Sequence, residues 1–229
     1  MPTGYHACQV AFFNGLLGPN DGATLGTMHE LAMIYLDAGS LEESIFWHEK
    51  IFSVSQDANR WALNTYSRAL QRAGRFEDAD RLLRKALELA RNESEPTARE
   101  HAMALVLQHL APNLLFQGRY KEAEQVARNA IAARRKGGRP VNWPEFHLMS
   151  VIGGALIGQR KIAEAEAFLV QGYAGLKENE AIMNPGFGHW VVQAVERLNR
   201  YYETTNQPEK ARQVREANKL RRSRTDKVP

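Results

Sequence analysis

The side chains with the widest chemical repertoire in this sequence are seven histidines: His6, His29, His48, His101, His109, His147 and His189. A zinc site on one helix needs a His-Glu-x-x-His stretch, and none occurs. His101 and His109, eight residues apart, share a helix face, but no third ligand stands near them. The single cysteine, Cys8, has no adjacent histidine or base to hold it as the thiolate that nucleophilic chemistry requires. Ser55, Ser67 and Ser150 stand outside any Gly-x-Ser-x-Gly elbow. Acidic pairs such as Glu42/Glu43 and Glu77/Asp78 suggest acid/base dyads until their places are compared: each opens the same part of a recurring pattern. Gly137-Gly138, between two helical stretches, reads as a turn and not as a phosphate cradle. Lys219, Arg221, Arg222, Arg224 and Lys227 crowd the C-terminus, yet no aromatic residue is interleaved on which bases would stack. No catalytic residue, cofactor or metal is expected, so the chain does not read as an enzyme.

Function must then come from the surfaces that the elements build. The 229 residues are 44% hydrophobic and 24% charged, the balance of a folded soluble protein. The net charge of +4 is too mild to single out nucleic acid as the partner. One cysteine excludes an intramolecular disulfide framework. No run of about 18 apolar residues appears, and the N-terminus lacks the basic and apolar regions of a signal peptide. A cytoplasmic location without a membrane span is expected.

Five segments share a pattern of turn, acidic residues, small residue and apolar stripe. They begin at Gly39, Gly74, Gly118, Arg160 and Asn206, with the small residue at Ser44, Ala79, Ala123, Ala165 and Ala211. Twelve residues earlier comes another small residue, Ala32, Ser67, Ala111 or Gly153, with Asn199 the exception. Three further on is a bulky one: Tyr35, Leu70, Leu114, Leu156 and Tyr202. Each segment therefore reads as two helices joined at a left-handed residue, the small residues marking where the backbones cross closely. One such pair cannot bury both its faces, so neighbours must stack. Pro112, inside the first helix of the third pair, predicts a kink near 108–112 that leaves the Gln108 carbonyl without its usual partner.

This pattern resembles the tetratricopeptide repeat over nearly the whole chain. The longer intervals, and Leu17-Gly-Pro-Asn-Asp21 before Leu31-Ala32 and Tyr35-Leu36, resemble its kinesin-light-chain variety. In the C-terminal half, Trp143, Phe146, Gly153-Gly-Ala-Leu156, Gly158-Gln159, Gly172-Tyr173 and Gly175 are similar to the terminal repeats of bacterial serine/threonine kinases with tetratricopeptide tails. No kinase motif is present: neither His-Arg-Asp nor Asp-Phe-Gly occurs. The resemblance implies an all-α, right-handed superhelical solenoid of about five helical hairpins over residues 24–222. Residues 1–23 are expected to form a capping helix or the remnant of a preceding repeat, and 223–229 a frayed basic tail.

What the resemblance implies about function is a concave groove, lined by first helices, that receives a peptide or helix of a protein partner. Carried over by alignment, its inward positions are His29, Met33, Trp61, Asn64, Arg68, Arg72, Gln108, His147, Glu196 and Arg200. Trp61 and Arg68 are of the types enriched at interface hot spots. Asn64 suits a peptide amide, and Arg68 and Arg72 suit a carboxylate. His29, Gln108 and Ser150 stand where the family's carboxylate clamp has lysines, which argues against a C-terminal carboxylate as ligand. The rival readings are a regulatory tail that binds a ligand or self-associates to control a serine/threonine kinase domain in cis, and, lower, a nucleic-acid-binding helical repeat.

Overall fold

The repeat turns all close their helices in one way, and that closure sets the architecture. The computed structural model describes residues 2–55, 60–183 and 187–225, with side chains except at 2–7, 9–10 and 219–225. A leading helix, α1 (Pro2–Leu17), packs on α2 and is followed by five helix pairs. These are α2 (Gly22–Ala38) with α3 (Leu41–Val54), α4 (Arg60–Arg72) with α5 (Phe76–Arg91), and α6 (Pro96–Phe116) with α7 (Tyr120–Lys136). The last two are α8 (Trp143–Gly158) with α9 (Ile162–Asn179), and α10 (His189–Thr204) with α11 (Pro208–Thr225). Among the described residues there is no strand.

Between the members of each pair one residue adopts the left-handed conformation: Gly39 (φ 83°), Gly74 (76°), Gly118 (73°), Arg160 (64°) and Asn206 (54°). Two backbone bonds accompany each. At the second turn the Gly74 N–H donates to the Gln71 carbonyl (3.1 Å) and the Arg75 N–H to the Leu70 carbonyl (2.8 Å). The equivalent of the second bond ends on Tyr35, Leu114, Leu156 and Tyr202 in the other pairs, the bulky positions of the repeat. This closure satisfies carbonyls that a helix end would otherwise leave orphaned. Four of the five positions carry Gly or Asn, the residues that reach this conformation most cheaply. Arg160 does not.

Within each unit the small residues of the repeat pattern lie in the interior. Ala32, Ser44, Ser67, Ala79, Ala111, Ala123, Ala165 and Ala211 are all fully buried. In the first pair the Ser44 hydroxyl donates directly to the Ala32 carbonyl at 2.8 Å, so the two backbones lie within one side-chain bond of each other. The approach is tighter between α8 and α9. A Cβ on Gly172 would stand 2.6 Å from the Ser150 nitrogen and 2.8 Å from the Phe146 carbonyl oxygen. Both obstacles are backbone, which a side-chain rotation cannot move.

The chain divides into two compact units, Met1–Asn113 and Leu114–Pro229. The first has its core at Leu31, Leu36, Leu63, Leu70, Leu83 and Leu110, with α3 packed on both α2 and α4. The second is built on Leu148, Ile152, Leu156 and Leu169, with α8 packed on α7, α9 and α10. Helix α6 continues through Pro112 to Phe116, and the chain is non-helical at 92–95 and 137–142. The stretch Asn184-Pro-Gly-Phe-Gly188, whose glycines and proline break a helical pattern, has Asn184, Pro185 and Gly186 outside the described residues. Helix α11 runs to Thr225, and 226–229 lie outside the described residues.

Two substitutions test this account. Arg160→Gly relieves the left-handed strain against a smaller gain in unfolded-chain freedom, and is expected to stabilise by about 0.5–1 kcal/mol in urea unfolding. Gly172→Ala drives a methyl into backbone and is expected to cost about 2–3 kcal/mol, an outcome that an unchanged urea midpoint would contradict.

Candidate functional site

Along α4 the residues Trp61, Asn64, Arg68 and Arg72 fall at intervals of three and four and so share one face, opposite the buried Leu63, Tyr66 and Leu70. Trp61 is 57% exposed, yet its position is fixed from beneath: its ring lies over the His29 ring at 3.6 Å between centroids. His29, on α2, is itself buried. It belongs to a chain of polar groups running through the first unit. His29 Nε2 is 3.5 Å from Thr65 Oγ1, which is 3.3 Å from His48 Nε2. His48 Nδ1 is 2.8 Å from the Ser44 carbonyl. A carbonyl only accepts, so Nδ1 carries the hydrogen of neutral His48 and Nε2 is left as an acceptor. The His48 ring also stacks on Tyr66 at 5.1 Å.

Neither histidine is free to charge. Burial, with His48 adding a smaller repulsion, pushes His29 down to about 3. His48 is pushed down to about 4, chiefly by burial; its bond to the Ser44 carbonyl works against the shift and Arg68 adds to it. Arg68, half-buried, is likewise drawn below its ordinary value by burial, with Asp37 supporting its charge and Arg72 opposing it. Arg72 does not simply project outward: it donates to the Leu36 carbonyl at the end of α2, where a cation also faces the negative pole of the helix. Met33 is half-buried against the cluster of Leu36, Ile45, Tyr66 and Leu70. Gln108 is buried, with its Nε2 3.4 Å from His109 Nε2. Thus in the first unit Trp61 and Arg72 are exposed, Asn64, Arg68 and Met33 are half-buried, and His29 and Gln108 lie beneath the surface.

In the second unit His147 is fully buried and stacked on Trp190 at 3.7 Å and 14°, inside a cluster with Trp143 and Phe187. Glu196 and Arg200, one helical turn apart on α10, are exposed. Between them stands Arg197, which the sequence reading passed over. Its guanidinium donates to Ser150 Oγ and to Gln193 Oε1, both at 3.2 Å. Burial pushes it down to about 10, with Glu196 opposing the shift. Its signal was an arginine inside the apolar stripe Ala194-Val195-x-x-Leu198-x-x-Tyr201. The basic tail side chains from Lys219 to Lys227 lie outside the description. Among the described residues no group of three His, Cys, Asp or Glu is placed to hold a metal, and no helix is long and apolar enough to cross a membrane.

The two buried histidines make stability depend on pH. Their folded values lie below the unfolded value of 6.5, so the unfolded chain takes up protons first. Stability is complete above pH 6.5 and falls as pH drops toward 4, by about 2 kcal/mol per histidine at pH 5. Urea unfolding at pH 7 and pH 5 is expected to show that loss, reduced by about half in His48→Gln. An equal loss in the variant would remove His48 from the explanation.

Residues 24–92 match the family model described as tetratricopeptide repeat. No curated protein matches the sequence. Among solved structures, BtubC (BKLC) from P. vanneervenii is similar with a TM-score of 0.70 at 14% identity, over 99% of this chain and 92% of that one. The kinesin light chain TPR-like repeats of Podospora anserina give 0.57 at 18%, over 89% and 97%. MamA from Desulfovibrio magneticus gives 0.56 at 16%, over 87% and 96%. At these identities the likeness is one of fold.

Proposed function

From a chain whose residues 24–92 belong to the tetratricopeptide repeat family, and whose helices over most of its length share the fold of such repeats, we propose a non-enzymatic module that binds a peptide or helix of a protein partner. It works in the cytoplasm, by display of a preformed surface and without covalent chemistry. The observation that carries this reading is Trp61: a large aromatic ring, 57% exposed, held in place by a buried ring beneath it. A side chain already ordered loses little freedom on binding, and tryptophan is the type most enriched at interface hot spots. Asn64 and Arg68, on the same face, supply an amide and a guanidinium for the polar part of the ligand.

Selection of a displayed random-peptide library on the full chain tests this. Peptides that bind are expected to lose at least about tenfold in affinity to Trp61→Ala of unchanged helicity, and again to Arg68→Glu. Undiminished binding to both variants would move the site off α4.

The alternative, a regulatory tail for a serine/threonine kinase in cis, is supported by the residues of 143–209 that resemble such tails. It requires kinase motifs in the same native polypeptide, and sequencing the source locus separates the two readings.

A further inference from the structure

Within residues 114–229 a cleft of about 300 Å³ opens beside α10, its wall including Phe116, Gly154, Ile157, Glu196, Arg197 and Arg200. That volume suits a small molecule and is modest for a length of polypeptide. Phe116 and Ile157 make part of the wall apolar. Arg197 reaches the cleft half-buried, and both its hydrogen-bond acceptors, Ser150 Oγ and Gln193 Oε1, are neutral. A cation drawn out of water with neutral partners is the feature an anion would relieve. Gly154 makes its placement possible, since a Cβ there would stand 3.0 Å from Arg197 Cδ and 3.1 Å from Leu115 Cδ2. With Arg200 and Arg197 against Glu196, the lining carries one net positive charge, which matches a monoanion better than a phosphate dianion.

We propose that this cleft binds a free monocarboxylic acid with an apolar body, its carboxylate on Arg197 with Arg200 at the rim and its body against Phe116 and Ile157. A guanidinium offers a carboxylate parallel donors, a geometry that an amide of the same shape does not exploit. The site is separate from the α4 surface, and either can fail without the other.

The probe is 4-phenylbutyrate, compared with neutral 4-phenylbutanamide, each titrated into the full chain and followed by two-dimensional amide NMR. The acid is expected to shift the signals of Gly154, Arg197 and their neighbours saturably, with a dissociation constant on the order of 1 mM, and the amide to bind at least about tenfold more weakly. Arg197→Gln, with helicity checked by circular dichroism, is expected to abolish the preference for the acid. Because Arg197 also bonds to Ser150 and Gln193, the exposed Arg200→Gln serves as a second variant and is expected to weaken the acid alone. Equal binding of acid and amide would overturn the proposal, as would acid binding unchanged in both variants or no shift at all. Binding confined to the capped peptide acetyl-Ala-Phe-Glu-Ala-amide would overturn it in favour of a peptide-borne carboxylate.

Discussion

Where α2 crosses α3 and α8 crosses α9, the two backbones meet over residues with almost no side chain, and the rest of the architecture follows from that contact. The Ser44 hydroxyl bonded to the Ala32 carbonyl, and the absence of room for any Cβ on Gly172, show how little space separates the paired helices. Helices packed at this distance leave no latitude in the turn that joins them. The same left-handed closure therefore recurs, with the same two backbone bonds, whether the residue is Gly, Arg or Asn. Once crossing and closure are set, the outer faces of the pairs are set with them, and large side chains such as Leu70 and Leu156 fill the space between neighbours.

Close packing also decides what polar residues can do. His29, Thr65, His48 and Ser44 each bury a polar group, and each is within reach of another member of the chain or of a carbonyl. Satisfied in this way, two histidines are tolerated in the interior of a small unit at the cost of remaining neutral. Trp61 rests on that arrangement, so the surface proposed to meet a partner is held by a polar core and not by an apolar one. In the second unit His147 is packed among aromatic rings, stacked on the buried Trp190.

The repeat was legible because its signals are local. The turn residues, the small residues and the bulky residues lie at fixed offsets along one helix pair, and all five left-handed positions are those at which the pattern begins. The candidate site was less legible because exposure is decided by neighbours distant in sequence. Alignment puts His29, Gln108 and His147 on the first-helix faces, but Trp61 covers His29 and Trp190 stacks on His147. Arg72 suits a ligand carboxylate by alignment, whereas it donates to a carbonyl 36 residues away. Arg197 was overlooked for the converse reason: an arginine in an apolar stripe makes sense only once Gly154 is seen to clear its path.

The left-handed turns carry a kinetic consequence as well. Each joins helices that are neighbours in the chain, and the helix contacts in both units are dominated by such sequential partners, α2 with α3, α4 with α5, α8 with α9. Contacts of short sequence separation are cheap to close in entropy, so a chain built this way assembles from nuclei in separate hairpins that grow by adding the next helix. Damage to one hairpin then propagates to its neighbours before it reaches the remainder, and loss of structure under stress proceeds by segments.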